Sequence, residues 1–313
     1  MDVSVIIVNY KTPQLCIDCI NSVIEKTVNI DYEIIVVDND SQDNSLQKIK
    51  EEFGNRVVLI DAGENLGFGK ANNLGAKNAK GEYLFLLNSD TILRNNAIKC
   101  LYDFIKIDSS VGIVGGNLFD KNGNPAHSFK VNQIDLNGLK VSSFFKSMRH
   151  KLSGKMTDWD FNDTKEPIEI NGYITGADLM IKKSIFEEVG GFDSDFFMYF
   201  EESEMTFRVR QLGYKVYSVP AAEIIHLEGA STKGKSFSER RQRMYNESAV
   251  KYFRKVYGEE SVKDCYKIMI SNCSKVAFRK FLQFDFDAVK KLNKEKRILK
   301  EELRKYKIKN KLV

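Results

Sequence analysis

The strongest constraint on the fold lies at the start of the chain. Residues 3–8 (VSVIIV) form a nearly continuous β-branched run with no polar face. As a strand, such a run must be covered on both sides, which is the situation inside a parallel sheet. Similar runs recur at residues 33–37 (EIIVV), 56–60 (RVVLI) and 83–87 (YLFLL). Helical patterns separate them. Pro13 opens one that lasts to about Thr27, suiting proline's place in a first helical turn. Asp43 and Asn44 start another that lasts to about Phe53, and residues 67–79 give a third after a Gly-rich turn. This βαβαβαβ alternation predicts an α/β fold with a mostly parallel, Rossmann-like sheet and helices on both faces.

The second half is less regular. Residues 95–107 and 201–213 read as helices. Residues 111–118, 174–182, 215–219 and 223–226 read as strands, and everything beyond about 237 as helix. Residues 120–166 are polar and aperiodic, and a segment of that kind is usually functional. With 42% hydrophobic residues, only 4 prolines and no Pro- or Ser-rich linker, the chain is expected to be compact. The expected division is a domain at 1–260, with a nucleotide-binding half (1–118) and an acceptor and catalytic half (119–260), and a helical basic extension at 261–313. No basic region precedes the first apolar run and no stretch has the length of a membrane span, so a cytoplasmic location is expected. The 5 cysteines are an odd number and read as reduced thiols. Cys16 and Cys19 share a helical face with Ile20 and Val23, which makes them core residues.

Charge is unevenly placed. Residues 279–313 hold 13 Lys/Arg against 5 Asp/Glu, whereas the rest holds 35 against 38. The tail thus reads as a basic amphipathic helix, suited to peripheral contact with an anionic membrane or to a solvated or self-associating coil. The domain itself is net acidic and carries no recognition motif for nucleic acid, which is not an expected partner.

In open α/β sheets, ligands bind at the carboxyl ends of the strands. Here Asn9 and Tyr10 follow the first strand, and Asp38, Asn39 and Ser41 follow the second. Asn65, Gly67 and Asn72 follow the third, and Asn88, Ser89 and Asp90 the fourth. One polar residue at a strand end is a helix cap; four groups in a row point to a polar ligand. The Gly-rich piece at 63–75 is not a P-loop, but it opens a helix whose N-terminus favours phosphate. Asn88-Ser89-Asp90 ends an apolar strand abruptly and offers oxygen ligands to a hard cation, although it is equally good turn chemistry. Glu202, Met205, Val209 and Leu212 share one helical face, so Glu202 is expected at the head of an inward stripe, with its proton affinity raised by desolvation. Glu204 reads as an acidic residue complementing the helix dipole. His226 ends a short apolar strand.

Six segments in this order resemble family 2 glycosyltransferases with the GT-A fold, nearest to the bacterial rhamnosyltransferase-like branch. They are VSVIIVNYKTP, EIIVVDNDSQD, NLGFGKANNLG, LFLLNSD, the stretch from GYITGADLM to FEESEMTFRVRQLGY, and IIHLEGAST, within residues 1–260. The resemblance implies a nucleotide-sugar donor with Asp38 on the base and Asn9 and Asn65 in the same pocket. It implies Mn or Mg on Asp90 and His226, and Glu202 as catalytic base, with Glu201 as the alternative. Gly176, Ala177 and Asp178 would border donor sugar and acceptor. The implied reaction is transfer with inversion, with dTDP-L-rhamnose as first-choice donor, otherwise a UDP-sugar. The acceptor would be a surface-polysaccharide or lipid-linked saccharide. Two departures stand out: the motif is Asn-x-Asp rather than Asp-x-Asp, and Glu202 stands where the branch commonly has Asp. Two other readings compete. A sugar nucleotidyltransferase needs a Gly-rich loop after the first strand, and NYKTPQL has no glycine. A catalytically inactive nucleotide-sugar-binding scaffold would not need Asp90, Glu202 and His226 together.

Overall fold

The computed structural model describes residues 1–140, 161–227 and 239–309. The first half runs β1 (Val3–Asn9), α1 (Pro13–Lys26), β2 (Tyr32–Asp38), α2 (Ser45–Phe53), β3 (Val58–Asp61) and α3 (Phe68–Asn78). It continues through β4 (Tyr83–Asn88), β5 (Thr91–Leu93), α4 (Ala97–Ile105) and β6 (Val111–Phe119). Then follow β7 (Phe129–Lys130), β8 (Ile168–Glu169), β9 (Tyr173–Ile174), β10 (Asp178–Lys182) and α5 (Lys183–Glu188). The chain ends with α6 (Glu201–Gln211), β11 (Lys215–His226), α7 (Glu239–Tyr257), α8 (Glu259–Leu282) and α9 (Phe286–Lys309). Part of the aperiodic 120–166 segment, residues 141–160, lies outside the described residues.

By its contacts the chain divides into two compact units. The first is Met1–Gln133, Trp159–Phe197 and Glu201–Lys233; the second is Ile134–Asp158, Met198–Phe200 and Gly234–Val313. A composition without linkers gave no sign of this division, because the chain passes between the units more than once without a Pro- or Ser-rich stretch.

The first unit is built on a sheet with the order β3-β2-β1-β4-β10-β6-β11-β5, with β8 paired to β11. β1 pairs in parallel with β2 and β4, β2 with β3, and β6 with β11. β10 enters antiparallel between β4 and β6, and β5 and β8 lie antiparallel to β11. The apolar runs alternate between two cores, as period 2 requires. Val3, Val5 and Ile7 join Ile34, Val36, Phe85 and Leu87 under α1, α2 and α4. Ile6, Ile35, Val37, Leu84 and Leu86 face the other way, against α3, α5 and α6. Cys16 and Cys19 are buried in the first of these cores, and all five cysteines are free. Burial pushes the Cys19 thiol up to about 12, which makes it inert.

Three readings of the sequence are corrected. Residues 174–182 are not one strand: the chain turns at Thr175, Gly176 and Ala177 between β9 and β10. Residues 215–219 and 223–226 are not two strands but one, β11, with its register shifted between Ser218 and Glu223. The basic amphipathic helix expected at 279–313, for which a solvated form was one reading, is packed in α9. Its apolar stripe, Ala288, Leu292, Leu299 and Leu303, is buried, as is the α8 stripe of Val262, Cys265, Met269, Cys273 and Ala277. Spacings of three and four on both helices are those of an antiparallel hairpin seam. Within this second unit, Asn246 of α7 donates to Glu295, a carboxylate placed in the α9 stripe, at 2.8 Å. Tyr252 also stacks its ring against Phe200 with centroids 5.2 Å apart.

Gly67 stands before α3 with φ of 78°, and a methyl group there would collide with the Phe197 carbonyl, which accepts the Phe68 N–H at 3.0 Å. Gly123 has a similar φ of 81° but open space around it. Chemical denaturation is therefore expected to show Gly123→Ala costing about 1 kcal/mol, the strain of the left-handed backbone alone. Gly67→Ala should cost roughly 2–3 kcal/mol, because the collision adds to that strain.

Candidate active site

The register of the parallel strands brings the polar strand ends together. Asn9 lies opposite Asp38, and Val8 opposite Asn88, so three strands deliver their last residues to one edge. There the side chains form a network. Asn9 Nδ2 donates to Asp38 Oδ1 at 2.7 Å and to Ser41 Oγ at 3.1 Å, while Ser41 Oγ donates to Asp38 Oδ1 at 2.6 Å. The Ser41 N–H adds a bond to Asp38 Oδ2 at 3.0 Å. Asn9 is 0% exposed and every polar atom of its side chain is engaged, so it braces Asp38. Asp38 Oδ2 keeps acceptor capacity beyond the single Ser41 N–H.

Asn39 holds the neighbouring loop. Its Oδ1 accepts the Leu66 N–H at 2.8 Å, and its Nδ2 donates to Asn65 Oδ1 at 3.2 Å and the Gly67 carbonyl at 3.3 Å. Asn72 turns back on its own helix, donating to the Phe68 carbonyl at 3.0 Å. Tyr10 is exposed, with the Lys11 ammonium 5.2 Å from its ring centroid. Thr12, which precedes Pro13, makes no capping bond. Its hydroxyl donates instead to Asn9 Oδ1 at 3.3 Å and lies 3.5 Å from Ser89 Oγ, linking β1 to the turn after β4. An unused N-cap is not visible in a sequence.

The turn after β4 carries Asp90, buried beside the end of β11. His226 Nε2 lies 3.3 Å from Asp90 Oδ1, and the Leu227 N–H donates to the Asp90 carbonyl at 2.8 Å. Two residues 136 positions apart are thus side by side, because β5 and β11 pair with His226 opposite Thr91. An imidazole nitrogen and a carboxylate oxygen are a donor set that Mn or Mg accepts. Among the described residues no group of three or more His, Cys, Asp or Glu forms a complete cage. A cation on Asp90 and His226 would complete its shell with ligand oxygens and water, the usual arrangement where a diphosphate is bound. The Asn88 backbone is tied down, its N–H donating to the Ala177 carbonyl at 3.0 Å and its carbonyl accepting from Thr91 at 2.7 Å.

Gly176, Ala177 and Asp178 form the turn into β10 beside these strand ends. The Phe68 ring, at the start of α3, packs against Gly176. Asp178 is fully buried, with Oδ2 accepting the Gly116 N–H at 2.6 Å and Oδ1 without a partner. Desolvation pushes it up to about 7, against the pull of that N–H and of His226.

Helix α6 supplies three more carboxylates. The chain enters it through Tyr199 and Phe200, both at positive φ (73° and 68°), an uncommon backbone for aromatic residues. The expected inward stripe of α6 is buried at Met205 and Val209 but differs at its ends. Glu201, Glu204 and Met205 point inward, Leu212 is exposed, and Glu202 is half-buried. Glu204 is not a surface acid but is 4% exposed, held by Arg208 through Nε at 2.8 Å and a second nitrogen at 2.7 Å. Arg208 also donates to the carbonyls of Val189 and Gly191, so this pair fixes the turn before α6. Glu201 is 4% exposed, and its Oε2 has no partner. Burial, reinforced by the Glu202 charge, holds its carboxyl well above the usual range. Desolvation raises Glu202 to about 7.

Comparison with known proteins identifies the family. The profile of Glycosyl transferase family 2 matches residues 4–190, more than half of the 313-residue chain. Glycosyltransferase GlyG of Streptococcus pneumoniae is 27% identical over 190 residues, covering 60% of this chain and 58% of GlyG. The N-acetylglucosaminyl-diphospho-decaprenol L-rhamnosyltransferase of Mycobacterium tuberculosis is 26% identical over 217 residues, 64% of this chain and 67% of that protein. The poly(ribitol-phosphate) beta-glucosyltransferase of Bacillus spizizenii is 34% identical over 158 residues, 49% of this chain but only 25% of its own length. The chain thus spans only part of the relatives it matches. Among solved structures, GalNAc-T7 with UDP, GalNAc and Mn2+ superposes with a TM-score of 0.60 at 20% identity, covering 82% of this chain and 50% of that one. That likeness establishes the GT-A fold. With the family profile matching more than half of its length, the chain belongs to glycosyl transferase family 2.

Proposed function

We propose that the chain transfers a sugar, with inversion, from a nucleoside-diphosphate-sugar to a hydroxyl of a surface-polysaccharide or lipid-linked saccharide. The first-choice donor is dTDP-L-rhamnose, in line with the mycobacterial relative's name, and otherwise a UDP-sugar. The observation that carries this reading is the Asp90–His226 pair, 3.3 Å apart at the edge where the strands end.

In this reading Asp38, braced by Asn9 and Ser41, accepts a hydrogen bond from the base through Oδ2, with Asn39 and Asn65 holding the adjoining loop. The N-terminus of α3, after Gly67, faces the diphosphate. A divalent cation, Mn or Mg, held by Asp90 and His226 would offset the charge that grows on the leaving diphosphate. Glu202 is the base rather than Glu201. It is half-buried and so reachable by an acceptor, and its value of about 7 leaves it partly ionised near neutrality. Glu201 is 4% exposed, with its carboxyl held well above the usual range by burial, and is less open to an acceptor. The Glu202 carboxylate takes the acceptor hydroxyl proton, the acceptor oxygen bonds to the anomeric carbon, and the bond to the diphosphate breaks with its electron pair. One displacement inverts the centre. Gly176, Ala177 and Asp178 border the sugar on the other side.

Thermal melts with a nucleoside-diphosphate panel and Mn test the donor site. A ligand at a hundred times its dissociation constant adds about 2.7 kcal/mol. Stabilisation by dTDP or UDP with Mn, lost in Asp90→Ala, is the expected outcome; no stabilisation by any nucleotide would sink the reading. For the base, Glu202→Gln should keep donor binding and lower turnover roughly 10²–10⁴-fold, while Glu201→Gln retains most of it. An inactive scaffold would show nucleotide binding with no metal-dependent donor hydrolysis in the wild type.

The same carboxylate sets a pH dependence. Folding raises Glu202 from 4.5 to about 7, so the folded chain holds this proton more tightly than the unfolded chain. Its contribution to stability is fully present below 4.5 and is lost as pH climbs to about 7. Activity should move the other way, since the base must be ionised. In Glu202→Gln the fall in melting temperature over that window should be shallower, though not abolished, because Asp178 titrates in the same range. An unchanged slope would place the ionisation elsewhere.

A further inference from the structure

The α8–α9 hairpin carries a feature that sugar transfer does not use. Around its turn, Phe278 is 63% exposed, Phe281 53%, Leu282 54%, Phe284 80% and Phe286 59%. Among the described residues, every exposed phenylalanine lies here, so bare phenylalanine rings are not a general habit of this surface. The rings adjoin one another: Phe286 lies 6.0 Å from Phe281 and 6.4 Å from Phe284 between centroids. The turn beneath them is well bonded. Gln283 and Asp285 donate their N–H groups back to α8 carbonyls, and Asp285 accepts the Ala288 N–H at 3.1 Å. Phe284 stands at a φ of 58°, so the backbone accepts an uncommon conformation while its ring goes to solvent.

Charge surrounds the rings. Residues 275–291 contain five Lys/Arg, at 275, 279, 280, 290 and 291, against two Asp. Each Asp is paired with a lysine: Asp285 with Lys280 at 3.3 Å, and Asp287 with Lys291 at 2.5 Å. The balance that remains is basic. A turn of clustered rings offers a protein partner no groove, but aromatic rings with lysine stems match the headgroup level of a bilayer. Basic residues around such rings favour anionic lipid. The apolar stripe of α9, which an amphipathic helix lying flat would need, is already buried.

We propose that the aromatic turn joining α8 and α9, residues 278–286, inserts into the interface of an anionic bilayer, with the surrounding Lys and Arg side chains on its headgroups. The full-length chain should co-sediment with vesicles of mixed phosphatidylglycerol and phosphatidylcholine and much less with phosphatidylcholine alone, and salt should weaken binding. Changing Phe281, Phe284 and Phe286 together to Ser should lower partitioning at least about tenfold with an unchanged melting temperature, since these rings lie outside the core. Lys275→Gln with Arg279→Gln and Lys290→Gln should remove the preference for phosphatidylglycerol. Independently, Phe284→Trp should shift its fluorescence to the blue on these vesicles. Absence of wild-type binding, or equal binding by the triple Ser variant, would overturn the proposal. So would a wild-type dimer that the triple variant dissolves without any vesicle binding, which would assign the turn to a second copy. No donor or acceptor enters these measurements, so their outcome is separate from that of the transferase reading.

Discussion

The register of β1 governs the site. The strand lies between β2 and β4, parallel to both, and its side chains alternate between two cores. A slip of one residue would turn Val5 and Ile7 into the core that holds Ile6, and the reverse. Each such residue gains about 1.5–3 kcal/mol from burial, whereas a net hydrogen bond contributes about 1 kcal/mol. Packing therefore sets the register, and the polar network follows from it. Asn9 meets Asp38 because the apolar residues before them are already aligned, so packing fixes where the Asp38 carboxylate stands.

This explains what could be read from the sequence. The four apolar runs are long and end sharply in Asn or Asp, so both the parallel sheet and the edge where its polar residues gather follow from local pattern. Features made by long-range pairing were not legible. The insertion of β10 between β4 and β6 depends on partners about 90 and 70 residues away, and nothing within DLMIK announces its direction. The role of Thr12 is likewise long-range, since its hydroxyl lies 3.5 Å from that of Ser89, 77 residues away. On α6 the expected stripe is buried at Met205 and Val209 but not at its ends: Leu212 is exposed and Glu201 lies deeper than Glu202, a difference that helical spacing alone does not carry. For α9, amphipathicity showed that one face was apolar but not what covered it.

The carboxylates show how stability and chemistry diverge within one unit. Glu204 is buried beside Arg208, and their pairing fixes a turn. Asp178 and Glu201 each keep an unpartnered oxygen, and Glu202 is desolvated. Replacing these three by neutral residues of the same shape would relieve a desolvation cost that the fold alone has no reason to carry. Groups kept at a loss to stability are the ones expected to serve a reaction. Strain at Tyr199 and Phe200, just before Glu201, points the same way.

The position of His226 follows from an irregularity. Along β11, Ser218 pairs with Gly115 and Glu223 with Asn117, so a five-residue step faces a two-residue step on β6. Pro220 lies in that interval, where its missing N–H leaves no ladder bond unmade. The extra residues let the second half of β11 pair with β5 while keeping its partner β6, which sets His226 opposite Thr91 and next to Asp90. A bulge shorter by one residue would move His226 one place along and turn its ring to the other face. The Asp90–His226 pair thus depends on a local fault in an otherwise regular strand, and the fault is what sets His226 beside the turn after β4.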